Sequence, residues 1–318
     1  MYAVPASYTG YPHRVAPPAR GPRAVILPVR RAWRTSFDRR PSSAGFGNAG
    51  TVDAMLEKSE QSRYIVTALR RGLAILSLFR RERRVVTVPD IEAELGLSRA
   101  TAFRMAYTLE RDGYLQRLPS SHAFQLGPKV LLLGLDYLEG TAVIAAGRET
   151  VYALRDRTGF SAHMCVRDGN EIVYVLNAPS HHRLRGDIPV GTRYPCHAVA
   201  SGRALLFDMS PAALAVLYDG VAMQAFSDQT PVDVAALSAL IAAERARGYA
   251  TNLSGFVSGI VSLSAPVRDR DGAIVAAINL SDSETVLKDV EAVQDLVVRA
   301  AAQVSTRLGW RGGDTEAV

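Results

Sequence analysis

Residues Thr87–Gly113 read TVPDIEAELGLSRATAFRMAYTLERDG, two short helical patterns separated by a tight turn. Thr87 can cap the first helix, with Asp90 three residues on as its reciprocal partner. Ile91 and Leu95 supply an apolar stripe at i, i+4 spacing. Gly96 stands where a helix stops in a left-handed residue, and Leu97 returns to the core. Ser98 caps a second helix whose inner face is Ala102, Met105, Ala106 and Leu109 and which closes at Gly113. Its exposed first turns offer Arg99, Thr101 and Arg104. A helix that presents arginine and hydroxyl groups in its N-terminal half, across a short turn from a supporting helix, has what reading a DNA major groove requires. Charges on a solvated helix face would need neither the two caps nor the turn glycine.

The flanking sequence extends this unit in both directions. From about Ser62, Leu69, Leu73, Leu76 and Phe79 recur at helical spacing and predict an amphipathic helix to about Arg80. A β-branched segment, Val85–Val88, leads into the pair of helices. Tyr114–Leu118 and Ala123–Leu126 flank a polar break, Pro119-Ser120-Ser121-His122, which predicts a β-hairpin wing. Arg117, Ser120, Ser121 and His122 are then expected near the DNA backbone. Residues 62–127 therefore read as a winged helix-turn-helix. Gly127-Pro128 marks a boundary, and Pro128 suits the first position of a helix through Lys129–Leu138. Its VLLLGLDYL sequence is too apolar to stand alone in water, so residues 128–142 are expected to form a linker helix packed on a partner subunit or the other domain.

The remainder, residues 143–311, alternates helix and strand. Val143–Thr158 reads as a helix closed by Gly159. Ala162–Arg167 and Glu171–Asn177 form a hairpin about Asp168-Gly169-Asn170, because Asp-Gly supplies the positive φ angles of a tight turn. Ala198–Asp208, Pro211–Leu217 and Val232–Arg247 read as helices. Tyr249–Asn252, Ile260–Arg268 and Ala273–Ser281 read as strands, and a last helix runs from about Thr285 to Leu308. Hairpin-linked strands with helices grouped around them predict an α+β domain with an antiparallel sheet. Residues 312–318 are a tail. No G-x-G-x-x-G or P-loop is present, so no nucleotide or other cofactor is expected.

Charge is unevenly spread over the 318 residues. Residues 1–54 carry eight Arg against Asp38 and Asp53. Residues 55–127 hold 12 basic side chains against 8 acidic, and residues 128–318 hold 17 against 21. A basic segment followed by a mildly acidic one suits a polyanion-binding domain joined to a domain with another task. The first 61 residues, rich in Pro, Arg, Gly and Ser, cannot bury enough surface to offset their ordering entropy. They read as a disordered tail, as sequence upstream of a start at Met55, or as a basic arm for phosphates. They lack the apolar core and cleavage pattern of a secretory signal. No apolar run is long enough to span a bilayer. The two cysteines, Cys165 and Cys196, fit a reducing cytoplasm better than a disulfide framework.

Six fragments, in order, carry a resemblance to a known family: LRRGLAIL, LGLSRATAFRMAYTLERDGYL, FQLGPKVLLLG, VGTRYPCHAVASGRALLF, ERARGYA and SLSAPVRDRDGAIVAAINLS. Over about residues 62–311 the chain resembles the IclR-type (isocitrate-lyase-regulator) bacterial transcription factors. The resemblance implies an N-terminal winged helix-turn-helix, a linker helix and a C-terminal GAF-like effector-binding domain. It also implies a homodimer or dimer of dimers on a palindromic double-stranded operator. The DNA contacts would fall to Ser98, Arg99, Thr101, Arg104, Arg117 and Ser121. It places a small effector, expected to be a carboxylate, against the backbone amides of Ala200 and Ser201, between Asn252, Ser262, Asn279 and Ser281. A helix start suits an anion, since its free donors and dipole both favour negative charge. The chain departs from the family pattern in having Leu253-Ser254-Gly255 where acidic residues often follow the GYA strand. Asn252 replaces a common Asp and Asn279 a common Ser, which leaves the pocket polar but less negative. Each of these polar residues, taken singly, would also serve as a satisfied strand or cap residue.

Other features invite sharper readings that the residues do not sustain. Cys196-His197 resembles a nucleophile and base, but adjacent residues diverge on any regular element and no acid stands ready to orient the His. His181-His182 with His163 and His197 lacks the spacing and carboxylates of a metal site. Arg183, Arg185 and Arg193 could face an anionic effector, though a loop or subunit contact is the commoner fate. An enzyme built on the GAF-like domain would need a nucleophile–base pair that is missing. A nucleoid-type DNA binder would leave the C-terminal half without a task.

Overall fold

The computed structural model describes residues 64–80, 82–119, 121–180, 188–287 and 289–312. The tail of residues 1–61, Ser120, His181-His182, Arg183, Arg185 and residues 313–318 lie outside them. All described secondary structure belongs to one unit, Val66–Val318.

In its N-terminal part, helix α1 (Thr67–Leu76), strand β1 (Val86–Thr87), α2 (Val88–Leu95), α3 (Arg99–Arg111), β2 (Leu115–Arg117) and β3 (Ala123–Leu126) follow in order. The strands pair antiparallel in the order β1-β3-β2, with Val86 and Arg117 both opposite Phe124. The local chemistry is the one the sequence encodes. Thr87 accepts from the Asp90 amide while the Asp90 carboxylate accepts from the Thr87 amide, a complete capping box. Asp90 is consequently held below the usual carboxylate range, first by its bonds to Thr87 and then by Arg83. Gly96 ends α2 at φ 61°, and the Ser98 hydroxyl accepts from the Thr101 amide to start α3. Ile75, Ile91, Ala102, Ala106, Leu115 and Phe124 form the core. The expected α1 stripe is only partly inward. Leu76 and Phe79 pack on this core, but Leu69 and Leu73 are 62% and 55% exposed, because Ile75 occupies the inward position.

Helix α4 (Lys129–Gly140) follows, and none of its side chains is buried. Leu131, Leu132, Leu133, Leu135 and Tyr137 are exposed, and Leu138 touches the core of the next domain. Among the described residues no single helix is long and apolar enough to cross a membrane.

The C-terminal domain comprises α5 (Ala142–Thr158), β4 (Ser161–Asp168), β5 (Glu171–Ala178), β6 (Arg193–Pro195), α6 (Ala200–Leu205), α7 (Pro211–Leu217), α8 (Val234–Arg247), β7 (Ala250–Leu253), β8 (Ile260–Arg268), β9 (Ile274–Ser283) and α9 (Glu291–Arg307). Six strands form one antiparallel sheet in the order β6-β5-β4-β9-β8-β7. Strand alternation divides the core. Ala276, Ile278 and Leu280 of β9 join Ile144, Val151 and Val297 on the α5/α9 face. Ala277 joins Cys165, Ala200, Leu206 and Leu237 on the α6/α8 face. The β4–β5 hairpin turns through Gly169-Asn170, where Gly169 alone takes a positive φ of 63° and Asp168 stays in the strand opposite Glu171.

Several elements differ from expectation, α1 among them, which runs Thr67–Leu76 rather than from about Ser62 to Arg80. β6 has only three residues and no periodic pattern, so nothing in its sequence marks it. α6 is shorter than Ala198–Asp208, because Leu206, Phe207 and Met209 bond three residues back in successive tight turns. The last helix starts at Glu291 rather than Thr285, since Leu287 is buried in the core and Asp289 accepts from the Ala292 amide.

α6 is pinned by a buried ion pair. Arg203 donates twice to the Glu244 carboxylate of α8, at 2.8 and 2.9 Å, and once to the Thr251 carbonyl of β7. The Thr251 amide donates back to Glu244 at 3.1 Å. The side chains are 5% and 1% exposed, so each charge depends on the other for its solvation. Gly202 supplies the close approach: a Cβ there would lie 2.3 Å from Cys196 Cα. Removing one partner, as in Glu244→Leu, should cost about 3–5 kcal/mol of stability, whereas Arg203→Met with Glu244→Leu should cost much less. Urea denaturation of the single and double variants measures the difference, and equal losses would show that the pair is not coupled.

Candidate DNA-reading helix and effector pocket

The exposed side of α3 carries Arg99, Phe103, Arg104, Tyr107 and Thr108. Arg99 and Arg104 make no ion pair among the described residues, so both guanidinium groups are available. Thr101 is half-buried, with its hydroxyl 3.0 Å from that of Ser98. Ser98 itself is engaged as the cap. Ser121 and His122 are exposed in the turn of the wing, where the Ser121 amide donates to the Leu118 carbonyl.

Arg117 has a partner that the sequence did not announce. Its guanidinium is held by Glu110 of α3 through two bonds, 3.2 and 2.9 Å, and its charge is stabilised accordingly. It also lies 4.8 Å from the ring centre of Phe124 and 6.0 Å from that of Phe103. The residue expected at the phosphate backbone thus also braces the wing against α3. Phe103 and Tyr107, which sequence reasoning passed over, are stacked at 6.2 Å. Their i, i+4 spacing on the outward face was the available signal.

In the C-terminal domain the sheet register brings the expected effector residues together. Asn252 of β7 lies opposite Ser262 of β8, Ser262 opposite Ser281 of β9, and Ser281 opposite Ser161 of β4. A second row runs Ser264, Asn279, His163. The two rows make a polar floor under α6. Ala200 and Ser201 begin α6, and no side chain caps it. Ser201 is 1% exposed and lies beside the Cys165 thiol and the Tyr174 hydroxyl. Asn279 is 1% exposed, and its amide approaches His163 Nδ1 at 3.5 Å. Its Oδ1 has no hydrogen-bond partner among the described residues. Asn252 is more structural: it donates to the Ala198 carbonyl and accepts from the Gly255 amide, which commits both ends of its side chain. Ser161, which accepts from the Ser180 amide, and His163 were not selected from sequence. The resemblance supplied Asn279 and Ser281 but not these two, which an i, i+2 alternation along β4 would have offered.

Aromatic rings roof this floor. Tyr174 touches His163 at 5.5 Å and Tyr194 at 5.8 Å. Tyr194 meets Phe256 at 4.7 Å, and Phe256 meets Phe226 at 4.7 Å. Tyr194 belongs to β6 at one edge of the sheet and Phe256 follows β7 at the other, so their contact closes an arch over the intervening strands. A separate cavity of about 190 Å³ lies beside the Arg203–Glu244 pair and shares only Asn252 with the expected effector residues.

Two families of sequence patterns match this arrangement: the IclR helix-turn-helix domain over residues 68–119, and the C-terminal domain of the bacterial transcriptional regulator IclR over residues 135–306. The chain belongs to the IclR family. The Pca regulon regulatory protein of Pseudomonas putida is 30% identical over 217 residues, covering 68% of this chain and 74% of its own. The structure of a regulator from Rhodococcus sp. RHA1 is 29% identical, with TM-score 0.67, covering 77% of this chain and 98% of its own. An IclR homologue from Microbacterium hydrocarbonoxydans, crystallised with 4-hydroxybenzoate, shares the fold at 23% identity and TM-score 0.66, covering 76% and 99%.

This IclR-family protein is thus a DNA-binding transcriptional regulator with an effector-binding C-terminal domain, not an enzyme. The thiol beside His197 agrees with that role: burial pushes Cys196 up to about 12, and buried His197 is held below its usual value, with Nε2 3.0 Å from the Gln224 carbonyl. Arg193 does not face the pocket floor but pairs with Asp168 and Glu171. Arg104→Ala should lower specific DNA affinity by about 1–3 kcal/mol with the fold intact. Titration against operator and random duplex tests this, and equal loss on both would make Arg104 a phosphate contact only.

Proposed function

We propose that this regulator binds a palindromic operator as a homodimer, or a dimer of dimers, in the cytoplasm. A small ring-bearing carboxylate held under the aromatic arch would set its affinity for DNA. The single observation that carries the effector reading is a buried polar floor roofed by rings. The carboxylate is assigned to the Ala200 and Ser201 amides, whose dipole favours an anion. Ser262, Asn279 and Ser281 supply the hydrogen bonds that orient the rest. The unpartnered Asn279 Oδ1 calls for a donor such as a hydroxyl, since a buried acceptor left unmade is costly. The arch favours a planar ring, which would stack against Tyr194 and Phe256 where an aliphatic chain would not. The 4-hydroxybenzoate bound by the Microbacterium homologue has this chemistry, and it is the first compound to try. Ser98, Arg99, Thr101, Arg104 and Ser121 form the proposed DNA contacts, with Arg117 acting through the wing.

Ser201→Asp should abolish ligand binding by setting a negative charge where the ligand's own must sit, while DNA binding survives. Calorimetry with 4-hydroxybenzoate and benzoate on the full chain, wild type and variant, gives the answer. Unchanged affinity in Ser201→Asp would mean that the carboxylate sits elsewhere.

The dimer reading rests on α4, whose Leu131, Leu132, Leu133 and Leu135 are left exposed by the described residues. Leu132→Asp with Leu135→Asp should give a monomer that binds operator poorly, because two half-sites about 10 bp or a multiple apart need two reading helices. Sedimentation of the wild type as a monomer at micromolar concentration would sink this part of the proposal.

A further inference from the structure

The reading helix carries more apolar surface than hydrogen-bonded base recognition needs. Phe103 and Tyr107 are 45% and 48% exposed and stack with their planes 21° apart. Leaving two large rings in water forfeits the stabilisation that burying them would bring. They are also not mobile decoration. Arg117, fixed by two bonds to Glu110, stands against the Phe103 ring and holds it from the wing side. Phe103 shares one helical row with Arg99 and Tyr107, and Arg104 lies in the next row. A surface flanked by free guanidinium groups is complementary to a polyanion, which commits the occupant of this face to DNA rather than to another protein. In the major groove, base edges offer donors and acceptors with one apolar exception, the C5-methyl of thymine.

We propose that Phe103 reads thymine: its ring packs on the 5-methyl group of a thymine in each half-site, with Tyr107 stacked behind it. Selectivity at that base pair then arises from apolar contact, beside the hydrogen bonds assigned to Arg99 and Arg104. Arg117 is a positioning residue in this scheme, since it touches the ring and not the base.

The experiment uses the full chain and an operator selected from random duplexes. Each thymine is replaced in turn by deoxyuridine, which removes the methyl and leaves every hydrogen-bonding group in place. One thymine per half-site should be methyl-sensitive, with a loss of about threefold to fivefold for each methyl removed. In Phe103→Ala the thymine and uracil operators should bind equally, whereas Arg104→Ala should keep the methyl preference. Arg117→Ala should blunt the preference without abolishing it. A wild-type protein indifferent to every thymine-to-uracil change overturns the proposal, and that arm needs no variant to fold. Methyl sensitivity that survives in a folded Phe103→Ala overturns it equally.

Discussion

Two opposite charges buried together, Arg203 and Glu244, decide where the effector half of this protein can put its other parts. Each would be too costly inside the domain without the other, so α6, α8 and β7 must meet where the guanidinium, the carboxylate and the Thr251 backbone satisfy one another. That meeting point fixes the start of α6 over the polar rows of the sheet. It also explains the small residues around it, since Gly202 lets the helix lie on the Cys196 backbone without a gap. Packing alone would tolerate a sliding helix, but a two-bond ion pair does not.

The DNA half uses the same device more cheaply. Arg117 and Glu110 are part-exposed, so their pair adds little stability. Its value is geometric: it joins a strand of the wing to the last turn of the reading helix. The two surfaces proposed to meet a duplex are therefore set relative to each other before DNA arrives, which would lower the ordering cost of binding. Charge in this chain serves position more than cohesion.

How much of this was legible depends on the range of the interaction. The capping box of Thr87 and Asp90, the stop at Gly96, the Ser98 cap and the turn at Gly169 are set by residues within a few positions of one another, and the sequence states them openly. Ser262, Asn279 and Ser281 came from the family resemblance; alternation along β4 offers Ser161 and His163 as well, and only the register of four strands shows which polar residues meet. The arch was invisible because Tyr194 and Phe256 touch across the full width of a sheet. The pairing of Arg117 with Glu110 was hidden because it depends on the hairpin folding back along α3. Leu69 and Leu73 fit a helical stripe as well as any buried pair, and periodicity cannot tell an inward stripe from one left uncovered.

The two thiols have a consequence of their own. Cys165 and Cys196 are buried on the α6 side of the sheet, and burial holds both in the protonated, unreactive form. An alkylating reagent can therefore reach them only during local openings of this side of the sheet. Their labelling rate is a built-in clock for those openings. A ligand that closes the domain around itself would slow that clock, and the slowing would report occupancy without a spectroscopic tag, an added tryptophan or any DNA in the sample.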